Sequence, residues 1–334
     1  MIYSNKPVSI LITSAGRRVG LIKAFQASAK LNINNKVKIL TVDAKPEYSS
    51  ACIVSDGYFK ISRIDSSSYK KELLDICIKN NVRLIIPTID TELINLCNFK
   101  SEFEEKGIYI ALGDIDFIKF CQDKRMLKNL FSGININIPK LYNTDELIFP
   151  LFMKPYDGSS SIGSKVIYST DDLSKSDINN QKNIYQELVP SDWVEFSIDM
   201  YFNRFSKLCS CVPRLRLATR AGEISKSIIK KGILYELIVK KFEYFKGAKG
   251  VITLQVFANP DFNDLIAIEV NPRFGGGYPM SYAAGADFPS MLIREYLYKE
   301  DVDEHQSCGD YKRSQFKKYR NQLEETQIYA HFSH

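Results

Sequence analysis

The first ninety residues alternate between two hydrophobic rhythms. "VSILITSAG" (8–16) is an apolar run ending in small residues, the pattern of a strand buried on both faces. "RRVGLIKAFQASAKL" (17–31) spaces its apolar positions at helical intervals instead. "KVKILTVDA" (36–44) and "VRLIIPTID" (82–90) repeat the strand pattern, with the helical "SSYKKELLDICIKNN" (67–81) between them. Strands alternating with helices predict a parallel, doubly wound sheet. Ligands of such sheets collect beyond the carboxyl ends of the strands, here Ser14 to Gly16, Asp43, and Thr88 to Glu92. The first turn, "SAGRRVG", carries only Gly16 and Gly20, short of a GxGxxG fingerprint; tight strand-to-helix packing explains it equally well.

From about residue 114 the rhythm changes. "DIDFIKFCQDKRMLKNLFSGI" (114–134) reads as a helix, and "FPLFMKPYDGSSSIGSKVIYS" (149–169) as two strands around a Gly/Ser loop. "NIYQELVP", "DWVEFSIDMYF", "LCSCVPRLRLA", "AGEISKSIIK", "GVITLQVFANP" and "LIAIEVNPRF" follow as strands, with "GILYELIVKKFEYFK" as an intervening helix and "AAGADFPSMLIREYLY" as a closing one. The expected architecture is α/β plus α+β. One domain spans 1–112, a second spans 113–300 and divides near 190, and 301–334 is an appendage.

Composition narrows the function classes. With 334 residues, 45% hydrophobic and 25% charged, the chain has the make-up of a globular protein. No apolar run reaches the roughly 18 to 20 residues of a membrane span, and the N-terminus lacks a secretory pattern; the expectation is a cytoplasmic protein without a membrane partner. Seven cysteines with no CxxC pair read as reduced, mostly buried thiols. All three histidines (His305, His331, His334) fall at the C-terminal end, which disfavours a Ser-His-Asp hydrolase and a histidine-ligated zinc enzyme. The net charge of +6 includes "YKRSQFKKYR" (311–320), which reads as a solvated helix or tail; no nucleic-acid partner is expected.

Several stretches carry candidate chemistry. Lys154 ends an apolar strand and is followed by "DGSSSIGS", so a cation precedes a run of backbone N–H groups with small side chains. That suits phosphate oxygens, and a flexible hairpin with a surface lysine is the competing reading. In "QELVP", Glu187 to Val189 read either as an adenine-binding strand end or as a plain one. Glu195 in "WVEFSID" reads as a ribose hydroxyl acceptor or an exposed strand acid. Gln255 in "TLQVF", with Glu269 and Asn271 in "IEVNPRF", offers three oxygen donors on adjacent strands, a hard set suited to magnesium that also takes phosphates. Arg273, two residues on, would neutralise charge on a transferred phosphoryl group. Arg214 and Arg216 share a strand face and read as an anion fork or as a basic face exposed to water. Asp90 and Glu92 read as amine acceptors or as a helix cap and first turn. Gly275 to Gly277 read as a turn passing close to substrate.

In order along the chain stand Lys124, Lys154, a Gly/Ser loop, an E-x-V segment, the acid Glu195, Gln255 and Glu269-x-Asn271-x-Arg273. This series resembles the ATP-grasp superfamily, over roughly residues 8–295, and within it the carbamoyl-phosphate-synthetase large-subunit-like proteins. The resemblance implies a Rossmann-like N-terminal domain followed by an ATP-grasp fold of two α+β subdomains (113–190 and 191–300) clasping ATP. It further implies that Lys124 and Lys154 bind ATP phosphates, that the loop of Ser159, Ser160, Ser161 and Gly163 closes over them, and that Glu187, Leu188 and Val189 hold adenine. Gln255, Glu269 and Asn271 would hold Mg2+, with Mn2+ as the alternative ion. The chain is too short for a full synthetase and carries one such unit. The implied activity is that of a stand-alone ligase joining a small-molecule carboxylate to an amine through an acyl phosphate. An acid kinase without an amine step and a nucleotide-binding regulatory protein are the alternatives, and a homodimer is one option for assembly.

Overall fold

The computed structural model describes residues 7–33, 37–158, 162–220, 223–230 and 232–302. Ser159, Ser160 and Ser161, and residues 303–334 with the histidines and the basic stretch, lie outside the described residues.

The N-terminal sheet is wholly parallel. Its strands β1 (Val8–Thr13), β2 (Val37–Asp43), β3 (Gly57–Lys60), β4 (Val82–Ile86) and β5 (Tyr109–Ile110) lie in the order β3-β2-β1-β4-β5. Helices α1 (Val19–Ile33), α2 (Ser50–Val54), α3 (Tyr69–Lys79) and α4 (Leu93–Glu105) connect them. The unbroken apolar runs follow from two-sided burial, because successive side chains point to opposite faces. Leu11, Leu40 and Ile85 pack with Leu73, Leu96 and Phe103 of α3 and α4 on one face. Ile10, Ile39 and Leu84 pack with Leu21, Ile22 and Phe25 of α1 on the other.

A single helix was the expectation over 114–134, and the chain breaks it. Helix α5 (Ile115–Gln122) ends at Asp123, a 3-10 turn covers Lys124–Met126, and α6 (Leu127–Leu130) resumes. Asp123 is extended, its carboxylate accepts the Arg125 N–H, and the Lys124 N–H leaves the helix to donate to Tyr156 O at 3.0 Å. The break carries Lys124 over to the next sheet. That sheet is antiparallel, with β6 (Leu141–Tyr142), β7 (Leu151–Pro155), β8 (Lys165–Ile167) and β9 (Asn183–Glu187) in the order β6-β9-β7-β8. The short helix α7 (Lys175–Asn179) precedes β9.

A second antiparallel sheet has the order β12-β11-β10-β13-β14, from β10 (Val194–Phe202), β11 (Leu208–Arg220), β12 (Glu223–Ile229), β13 (Gly250–Ala258) and β14 (Leu265–Asn271). Phe196, Ile198, Met200 and Phe202 of β10 enter the core, so Glu195, Ser197 and Asp199 face the other way. Helix α8 (Ile233–Lys241) stops short of residue 246 because Phe242 and Phe245 turn inward against Phe131. The helix expected over 283–298 begins earlier and is interrupted. Helix α9 (Tyr278–Ala283) ends before Gly285 at φ +98°, a conformation that ends a right-handed helix. Asp287 then caps α10 (Phe288–Leu292), and a π-helical turn covers Ile293–Tyr298. Among the described residues no helix is long and apolar enough to cross a membrane, and the six cysteines are free thiols, five of them buried.

Candidate functional site

Strand register builds the site. Ser197 lies opposite Arg214 on one side and Gln255 on the other, and Gln255 lies opposite Glu269. The next row holds Asp199, Thr253 and Asn271. Directly paired residues project to one face, so these rows form a polar floor on the side of the sheet away from the core. A cleft of about 740 Å³ lies between this floor and the Thr88–Thr91 loop of the N-terminal sheet. It brings together Lys124, Arg214, Gln255, Glu269, Asn271 and Arg273.

At one end the charges are crowded and poorly hydrated. Lys124 and Lys154 are each 7% exposed. Lys124 Nζ donates to Gly158 O at 2.5 Å and stands 3.9 Å from Glu269 Oε2. Burial, helped by the neighbouring Lys124, lowers the Lys154 ammonium to about 8, with Glu269 and Glu195 opposing the shift. Glu195 is not the exposed acid that one reading of its strand allowed. Burial pushes its carboxyl up, and Arg216 Nε lies 3.2 Å away and counters that. Two ammonium groups held close together and largely out of water favour a polyanion, because oxygen anions would replace lost hydration at both.

Arg214 is 1% exposed, which excludes a basic face in water. Its Nε and Nη2 donate to Asp199 Oδ2 and Oδ1 at 2.9 and 3.1 Å, a bidentate pair. Asp199 is itself fully buried and also accepts from Thr253 Oγ1 (2.9 Å) and Ser281 Oγ (2.6 Å). Arg214 Nη1, by contrast, has no hydrogen-bond partner among the described residues. The glycine run explains how this group fits. A Cβ on Gly277 would stand 2.8 Å from Arg214 Cζ and closer still to Nη1, and one on Gly275 would stand 2.7 Å from Thr253 Oγ1. The absent side chains therefore make room for the protein's own buried network as well as bordering the cleft. Asp199, Thr253 and Ser281 were not singled out from the sequence, although alternation in "EFSID" puts Asp199 on the face of Glu195.

Arg273 is engaged throughout. Its Nε donates to Asp90 Oδ2 at 2.9 Å and its Nη2 to the same oxygen at 2.5 Å; Nη2 also reaches Asn271 Oδ1 (3.2 Å) and Nη1 reaches Phe274 O (3.2 Å). Glu92 does not face the cleft. It is fully buried and accepts the N–H groups of Thr88 and Ile89 and the Ser14 hydroxyl, holding two strand-end loops together. Burial raises its carboxyl, against those hydrogen bonds.

Gln255, Glu269 and Asn271 present oxygen donors with a single carboxylate among them, and no group of three or more His, Cys, Asp or Glu among the described residues is placed to hold a metal. Such a set fits a hard divalent cation that arrives with phosphate and water ligands, and does not fit a free-standing cation cage. Arg273 strengthens the fit: by donating to Asn271 Oδ1 it orients the amide oxygen. Glu187, Leu188 and Val189 lie outside the cleft lining at the end of β9, with Glu187 exposed and accepting the Lys140 N–H. Gly163 sits at φ +74° after the segment 159–161, packed near Pro155.

Two family models match successive parts of the chain. Residues 10–111 match the PylC-like N-terminal domain, and residues 184–318 match "ATP-grasp in the biosynthetic pathway with Ter operon". The carbamoyl phosphate synthase large chain of Campylobacter jejuni is 23% identical over 291 residues, 74% of this chain and only 26% of that protein. The 3-methyl-D-ornithine–L-lysine ligase of Methanosarcina acetivorans is 22% identical over 290 residues, covering 85% of this chain and 73% of the ligase. Among solved structures, N5-carboxyaminoimidazole synthetase from Staphylococcus aureus complexed with ADP superimposes with a TM-score of 0.67 at 17% identity, over 91% of this chain and 80% of that one.

Proposed function

The chain belongs to the ATP-grasp superfamily, and on that premise we propose that it is an ATP-dependent ligase that joins a carboxylate to an amine. A carboxylate oxygen attacks the γ-phosphorus of ATP, ADP leaves, and the amine then displaces phosphate from the acyl phosphate to give an amide. The observation that carries this reading is Arg214 Nη1, unpartnered among the described residues, on a side chain that lines the same cleft as Lys124 and Glu269. A buried guanidinium N–H without an acceptor calls for an anionic oxygen, and a substrate carboxylate supplies one.

The chain's own groups have separable tasks. Lys124 and Lys154 neutralise phosphate oxygens of ATP, and the main chain at Asp157–Gly158 borders that end of the cleft. Glu187 to Val189, beyond the lining of this cleft at the end of β9, hold the adenine. Arg214 fixes the acid, held by Asp199 in one orientation before substrate arrives, so little reorganisation is needed at reaction. Mg2+ or Mn2+, held by Gln255, Glu269 and Asn271, supplies charge neutralisation on the phosphates when bound.

ADP release measured over pairs of acids and amines tests the reading, with mass spectrometry for the amide. Release that requires both substrates is expected. Full ADP release with an acid alone would indicate a kinase, and tight ATP binding without turnover across the panel would indicate a nucleotide-binding regulator.

A further inference from the structure

Asp90 belongs to the N-terminal sheet, yet its carboxylate is taken up by Arg273, 183 residues away at the end of the strand that carries Glu269 and Asn271. Asp90 begins a 3-10 turn, Asp90–Glu92, pinned from below by buried Glu92. Its carbonyl accepts Gln122 Nε2 at 2.8 Å, two residues before Lys124. One residue thus touches the N-terminal sheet, the segment leading into Lys124 and the end of β14.

Arg273 passes this positioning on. The nitrogen that meets Asp90, Nη2, also donates to Asn271 Oδ1. An amide side chain can turn either its oxygen or its nitrogen toward a cation, and a donor fixed beside the oxygen decides which. One Oδ1 lone pair meets Arg273, leaving the other for the ion. Without Asp90 the guanidinium keeps only its contact to Phe274 O besides Asn271, and the direction of the N–H that selects the Asn271 oxygen is no longer fixed.

We infer that Asp90 is a positioning residue for the cation–phosphate end of the cleft, acting through Arg273 on Asn271, and is not the acceptor of the amine substrate. This rests on the nucleotide reading proposed above. Outer-shell partners of this kind typically change metal affinity by 10- to 100-fold in other proteins, and here the partner comes from the other domain. Formation of the ion site is thereby tied to the seating of the N-terminal sheet against β14.

The test needs neither acid nor amine. Binding of the non-hydrolysable ATP analogue AMP-PNP to the full chain is measured by calorimetry across a Mg2+ titration and again in EDTA. Asp90→Ala is expected to raise the Mg2+ midpoint by about tenfold, leaving affinity in EDTA within about twofold of the starting protein; Asp90→Asn, whose amide oxygen can still accept both Arg273 N–H groups at the position of Oδ2, is expected to shift it less. The alanine substitution made on top of Arg273→Met is expected to add nothing further. An unchanged midpoint in Asp90→Ala, or an undiminished effect in the Arg273→Met background, would overturn the inference. Asp90→Ser serves in the same cycle should the alanine variant not fold. Failure of the unaltered chain to bind AMP-PNP at any Mg2+ concentration is a different result: it removes the nucleotide reading itself, and this inference with it.

Discussion

Replacing Asp199 by asparagine keeps the shape of the side chain and removes its charge. In the native arrangement Oδ1 accepts from Arg214 Nη2 and Thr253 Oγ1, and Oδ2 accepts from Arg214 Nε and Ser281 Oγ. Either orientation of the new amide puts an NH2 group where one of these oxygens stood. The Thr253 or Ser281 hydroxyl can rotate and accept from it. The Arg214 N–H opposite cannot, because a guanidinium has no acceptor. Arg214 is then left at 1% exposure with one N–H facing a donor and no counter-charge. Breaking a buried pair in this way costs about 3–5 kcal/mol, against a total stability on the order of 5–15 kcal/mol. At 1.4 kcal/mol per factor of ten, the unfolding equilibrium shifts by roughly two to three and a half decades. Urea unfolding followed by circular dichroism reads this as a fall in midpoint with an unchanged slope. Adding Arg214→Met to Asp199→Asn removes the stranded charge, and the double variant should recover most of the loss. A single variant within about 1 kcal/mol of the starting protein, or a double variant no better than the single, would refute the reasoning, since either means that the guanidinium is hydrated or partnered elsewhere.

Four other consequences are open to direct measurement. Gly277→Ala should destabilise by about 1–3 kcal/mol, because the new methyl overlaps the Arg214 guanidinium while φ of −83° at that position is acceptable to alanine; thermal unfolding decides. The Lys154 ammonium sits at about 8 in the folded chain against 10.5 unperturbed, so between those values the unfolded chain holds more protons and stability should rise with pH. Nucleotide phosphates stabilise the charged form, so ATP affinity should fall as pH climbs through 8, with proton uptake on binding seen by calorimetry in buffers of different ionisation enthalpy. Glu269→Gln should lower ATP turnover by about 10²-fold or more while its unfolding midpoint stays near that of the starting protein, because the side chain is partly exposed and its nearest cation, Lys124, lies 3.9 Å away; turnover near the original level would remove Glu269 from the site.

The strands and their facing were legible in the chain, because period-two alternation and two-sided burial leave a local signature. "VSILIT" and "VRLII" show it in the parallel sheet, and "LQV" and "IEVN" put Gln255, Glu269 and Asn271 on the outward face before any coordinates are known. Helix interruptions were less legible. Apolar spacing continues across Asp123 and Gly285, so periodicity alone misses the two stops: a carboxylate that turns back to cap the Arg125 N–H, and a glycine at positive φ. Contacts remote in sequence were hidden altogether. The charge pair of Asp90 with Arg273 and the close approach of Gly277 to Arg214 lie 183 and 63 residues apart, and no periodicity links them. Composition and alternation state which face a side chain takes, since that depends on the next two residues. Which carboxylate meets which guanidinium, and which donor is left over, depends on how whole sheets are seated, and only the folded chain decides that.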